Sequence, residues 1–128
     1  MRFGFTILYV RDAAASVAFY ERAFGLARRF EHASGQYAEL ETGATALAFA
    51  SRALAADNLP PGLRPDDAGD GRPAFEICLV TDDVEGAFER AVQAGAEPVT
   101  APRTRAWGQD VAFVLDPDGV LVELASPT

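Results

Sequence analysis

The chain states one plan twice, and this internal repeat limits its fold more than any other feature. Ile7-Leu8-Tyr9-Val10-Arg11-Asp12 opens a strand, a helical pattern follows and Gly25 stops it. Ile77-Cys78-Leu79-Val80-Thr81-Asp82-Asp83 does the same about seventy residues later, with a second helical pattern ended by Gly95. The two halves also close alike, Leu47-Ala48-Phe49-Ala50-Ser51 answering Val122-Glu123-Leu124-Ala125-Ser126 after a glycine-containing turn. A duplicated half-domain is expected to place a ligand between its copies. Each half alone is marginal in size, so the two should share one folding unit of 128 residues.

Periodicity gives the elements. Alternation over Phe3 to Val10 predicts a strand with Phe5, Ile7 and Tyr9 on one face. Asp12 is placed to cap a helix over residues 13–24 that buries Val17, Phe19 or Tyr20, and Phe24. Short strands over 27–33, 36–41 and 45–50 follow, separated by Ser34-Gly35 and Thr42-Gly43. The second half predicts a strand over 74–81, a helix over 84–94 capped by Asp82 or Asp83 and burying Val84, Ala87, Phe88, Ala91 and Val92, then strands near 98–101, 109–115 and 120–125. Asp116-Pro117-Asp118-Gly119 supplies the last turn. Both halves thus read βαβββ: module one at 1–55, module two at 73–128. Residues 56–72, with three prolines, three glycines and four aspartates, read as an exposed linker after a short helix at 51–55.

Composition excludes several function classes. The net charge is −8, and residues 65–128 hold four arginines against thirteen acids. No basic run offers a nucleic acid its phosphate contacts. The acidic balance suits solubility and equally the steering of a cationic ligand. No stretch approaches the roughly 20 apolar residues of a membrane span, and the start enters strand pattern at once, so a cytoplasmic location is expected. The single cysteine, Cys78, cannot form an internal disulfide. Phosphate loops, Ser-His-Asp sets and Cys-x-x-Cys pairs are absent from the sequence.

With Thr6-Ile7-Leu8-Tyr9-Val10-Arg11-Asp12, Phe19-Tyr20, Phe24-Gly25 and Phe113-Val114-Leu115-Asp116-Pro117-Asp118-Gly119-Val120-Leu121-Val122-Glu123 in view, the chain resembles the vicinal oxygen chelate superfamily. That group includes glyoxalase I, fosfomycin resistance proteins, extradiol dioxygenases and bleomycin resistance proteins. The resemblance implies an α+β fold in which two tandem βαβββ modules form a curved, cup-shaped mixed sheet with helices on its outer face. It also implies a divalent ion held from the first and last strands of each half. Those positions fall here on Phe5 and Ala48 in module one and on Glu76 and Glu123 in module two. Only the second pair can bind a metal, an incomplete set for Mg, Mn, Zn, Ni or Fe. The only histidine, His32, falls where the family has no ligand and reads as a surface or edge residue.

Two uses of the acids follow. Glu76 and Glu123 facing one hollow would share a proton and serve as acid and base, or they would bind an amine or guanidinium. The plain alternative pairs Glu76 with Arg72, Arg103 or Arg105. Phe5, Tyr9, Ala48, Cys78 and Trp107 are the candidate ligand-binding residues. Ala46, Ala48 and Ala50 form a small-residue wall that either makes room for a ligand or allows close packing. Trp107 either stacks on a ligand or anchors packing. The expected function is binding of a small hydrophobic or cationic organic molecule by a homodimer. The alternative is a metal-dependent or acid–base lyase, isomerase or dioxygenase-type enzyme using Glu76 and Glu123. On either reading, module one contributes only hydrocarbon.

Overall fold

A computed structural model describes residues 3–61, 65 and 75–128. Linker residues 62–64 and 66–72, Ala74 and Arg72 among the positions weighed above, lie wholly or partly outside the described residues. The elements run β1 (Phe5–Val10), α1 (Ala13–Phe24), β2 (Arg28–Glu31), β3 (Tyr37–Leu40), β4 (Ala46–Ser51), α2 (Arg52–Asn58), β5 (Ile77–Val80), α3 (Val84–Gln93), β6 (Glu97–Thr104), β7 (Asp110–Leu115) and β8 (Leu121–Ala125). They form two compact units, each around its own four-stranded mixed sheet.

In the first sheet the order is β1-β4-β3-β2, with β1 parallel to β4 and the other pairs antiparallel. Asp12 caps α1 by accepting the Ala15 N–H at 2.9 Å, and Gly25 ends it at φ 68°, a left-handed backbone that costs a residue without Cβ nothing. The helix buries Val17, Phe19, Tyr20 and Ala23, while Phe24 is only half-buried. Tyr20 meets Phe49 of β4 edge to face at 4.9 Å, so α1 covers the sheet face that also carries Leu8. Helix α2 extends three residues past the predicted end, its first turn capped by Ser51 Oγ accepting the Leu54 N–H.

The second sheet repeats the order as β5-β8-β7-β6, with β5 parallel to β8. Asp83 is the residue that caps α3, accepting the Gly86 N–H at 2.9 Å. A Cβ on residue 86 would come within 2.2 Å of that carboxylate, so glycine is what lets the cap close. Helix α3 buries Val84, Ala87 and Ala91 over the face that carries Ala112, Val114, Val122 and Leu124. Phe88 is half-buried and Val92 is 36% exposed, correcting the wider buried stripe expected from periodicity. Strand β6 is twice as long as predicted. It is an edge strand, where Pro98 and Pro102 need not donate to a neighbour. The Asp116 turn is drawn shut from within: Oδ1 accepts the N–H groups of Asp118 and Val120 at 2.8 and 2.9 Å, and Gly119 takes φ 82°.

Candidate functional site

Each sheet has one face covered by its helix and one open face, and strand register decides which residues share the open one. In the second sheet Cys78 is opposite Glu123, and Glu123 is opposite Phe113. Alternation puts Glu76, two residues before Cys78, on the same side. Glu123 as a hydrogen-bonding partner first, then desolvation and the Glu123 charge, push Glu76 above the usual carboxylate range. Glu76 and Glu123 thus lie as neighbours on this face. Neither pairs with an arginine among the described residues, so the alternative in which Arg103 or Arg105 neutralises Glu76 is not what the structure has.

Cys78 is exposed beside the pair. Desolvation, then the Glu123 and Glu76 charges, push its thiol up, the opposite of an activated thiolate. Trp107 occupies the turn between β6 and β7 and is 68% exposed, its indole N–H donating to Gln109 Oε1 at 2.9 Å. It is not a packing anchor of its unit. Arg105, at the start of that turn, lies over the Phe113 ring with Cζ 6.0 Å from the ring centroid.

In the first sheet the equivalent register holds: Ile7 is opposite Ala48 as Cys78 is opposite Glu123, so Phe5 corresponds to Glu76. Phe5, Ile7 and Tyr9 form an exposed row, 49%, 45% and 39% accessible. Ala46, Ala48 and Ala50 are buried beside it, their short side chains lying between the larger residues of β1 and β3. The expectation that this module offers only hydrocarbon is wrong. Glu39 of β3 is opposite Ala48 and belongs to the same face. Its Oε1 accepts the Tyr37 hydroxyl at 2.9 Å and its Oε2 is 3.5 Å from Arg29 Nε. Burial first, and then the hydrogen bond to Glu39, push Tyr37 up to about 12. An acid alternating with Tyr37 in a half-buried strand is the signal the sequence offers for Glu39, while its place on this face depends on the β3–β4 register. His32 sits exposed in the β2–β3 turn, its Nδ1 within reach of the Ser34 hydroxyl and backbone N–H.

Among the described residues, no three or more His, Cys, Asp or Glu side chains gather where they could hold a metal ion. Two neighbouring carboxyls, without imidazole, fall short of the three protein ligands of a catalytic zinc centre. The described residues do not fit a tightly held transition metal. Among those residues, no helix is long and apolar enough to cross a membrane.

Residues 2–124 match the family model of the Glyoxalase/Bleomycin resistance protein/Dioxygenase superfamily. An uncharacterized Mycobacterium bovis protein is 32% identical over 125 residues, covering 94% of this chain and 80% of that protein. A bleomycin resistance protein of Klebsiella pneumoniae is 29% identical over 122 residues, covering 89% of this chain and 83% of the relative. Among solved structures, a glyoxalase-related enzyme from Fulvimarina pelagi superposes with a TM-score of 0.81 at 23% identity, covering 99% of this chain and 88% of the other. TioX from Micromonospora sp. ML1 gives 0.73 at 22% identity, with 98% of each chain covered. At these identities the two structures report the shared fold.

Proposed function

Because the chain belongs to the Glyoxalase/Bleomycin resistance protein/Dioxygenase superfamily, we propose that it binds a small organic molecule through a cationic group, with the Glu76–Glu123 pair as acceptor. The observation that carries this is the placement of two neighbouring carboxyls on one open sheet face, unpaired with any arginine among the described residues. An incoming amine or amidine brings this pair a full positive charge and two charge-assisted hydrogen bonds. Half-buried Phe113, opposite Glu123 on the same face, offers apolar area for the rest of such a molecule. The similarity to a bleomycin resistance protein agrees with binding as the main activity. A homodimer that covers part of the β1 row is included in this proposal.

Benzamidine, planar and cationic, tests it against neutral benzamide. At a hundredfold excess over its dissociation constant, benzamidine is expected to raise the melting temperature by about 10 °C. The double variant Glu76→Gln/Glu123→Gln should lose most of that rise. Because Glu76 is raised and a cation binds the ionised pair, binding strengthens as pH rises through the raised Glu76 range. Equal shifts with benzamide, or none with either compound, would refute the proposal.

A second reading uses the same pair. A carboxyl raised above its ordinary range beside a second carboxyl is what an acid–base lyase or isomerase requires. Turnover that falls together with loss of either carboxyl, on a substrate found by the binding screen, separates catalysis from sequestration.

A further inference from the structure

The open face of the second sheet carries a positive end as well as a negative one. Crossing it from β8 to β6, Glu123 is followed by its register neighbour Phe113 on β7, and Arg105 lies over the Phe113 ring. The Arg105 Nε is buried and has no hydrogen-bond acceptor among the described residues. A buried donor on a permanently charged guanidinium is costly to leave unmade, and its natural partner is an anion. The arginine is also held in place. Its backbone N–H donates to the Gln109 carbonyl at 2.7 Å, its carbonyl accepts the Gly108 N–H at 2.9 Å, and the Gln109 side chain donates to the Ser126 carbonyl at 2.7 Å. The turn is thereby tied to the end of β8, the strand that carries Glu123.

We infer that the ligand of this face is amphoteric: a cationic group at Glu76 and Glu123, a carboxylate or similar anion at Arg105, and an apolar or aromatic middle between them. This rests on the proposed cation site and adds the second charge. Arg105 Cζ stands 6.0 Å from the ring of Phe113, the register neighbour of Glu123, so both charged ends lie within reach of one small molecule. A ligand with both charges would gain at each end, whereas a simple amine leaves the arginine donor unmet and a simple carboxylate faces the acids.

Three linear probes of matched length discriminate: 8-aminooctanoate, octylamine and octanoate, titrated by calorimetry with Trp107 fluorescence as a second readout near Arg105. The amino acid is expected to bind about tenfold more tightly than octylamine, the worth of one charge-assisted hydrogen bond, and octanoate weakest. Arg105→Gln should erase the tenfold advantage, since both compounds then meet the face through their ammonium group alone. Arg105→Lys, which keeps the charge and guards against a folding defect, should retain part of it. Equal binding of 8-aminooctanoate and octylamine, or an advantage that survives in Arg105→Gln, overturns the amphoteric assignment and leaves the cation site standing. Failure of both amines to bind overturns the two together.

Discussion

The two modules place acids on corresponding open faces but satisfy them in opposite ways. Glu39 in the first is gripped by its own sheet, with a hydroxyl from Tyr37 on one oxygen and a guanidinium from Arg29 on the other. Glu76 and Glu123 in the second have each other as neighbours and no arginine partner among the described residues. A carboxylate whose lone pairs are already met stiffens the sheet and has little to offer a ligand. A pair of adjacent acids has a place for a positive charge that the described residues do not fill. The duplication thus kept the backbone and divided the labour: module one holds its acid for structure, and module two presents its acids outward.

The comparison breaks most readily at Glu39. Its side chain is only 14% exposed and both oxygens are engaged, so Glu39→Ala should lower the unfolding free energy by about 2 kcal/mol, mostly from the stranded Tyr37 and Arg29 partners. Urea denaturation with far-ultraviolet dichroism measures this. A loss under about 0.5 kcal/mol, the scatter of an ordinary surface substitution, would mean that module one's acid is as uncommitted as module two's.

The acid pair predicts a smaller effect of opposite sense. Glu76 is raised in the folded chain, so the pair's contribution to stability is complete below the ordinary carboxylate range and is lost as pH rises through the raised value. Glu123→Gln keeps a hydrogen-bonding partner and removes the repulsion that appears on full ionisation. At pH 8 the variant should be as stable as the parent chain or more so, by about 0.5 kcal/mol for a pair this exposed. At pH 4 the difference should vanish. Stability of the parent chain that gains on the variant with rising pH would show the two carboxyls to be independently stabilised, like Glu39.

Much of this was legible in the residue pattern, and the failures have physical causes. Asp12, Gly25 and the Asp116 turn act through local hydrogen bonds and backbone conformation, so their sequence signals carried over directly. Glu76 and Glu123 were singled out by the family resemblance, and their common face follows from the register of β5 and β8. Glu39 was missed because its role depends on register between β3 and β4, which pattern within a strand does not report. The length of β6 was missed because prolines argue against a strand only where a neighbour needs the N–H, and edge position is a property of the whole sheet. The exposure of Val92 likewise depends on where α3 leaves its sheet. Arg105 could be named as a charge, but its placement over Phe113 needed the turn geometry.

Cys78 gives the finest probe of the difference, since its counterpart Ile7 has no acid beside it at the Ala48 position. The thiol is raised by desolvation first and by the Glu123 and Glu76 charges after it. Removing one charge lowers the barrier to thiolate formation without changing access. Alkylation by iodoacetamide at pH 8 should therefore run about twofold faster in Glu123→Gln than in the parent chain, a modest gain because an exposed charge is well screened. High salt should shrink the difference, as it shortens the reach of Glu123. An unchanged rate in the variant would mean that Glu123 is turned from the sulfur, and with it the shared face that distinguishes module two from module one would be lost.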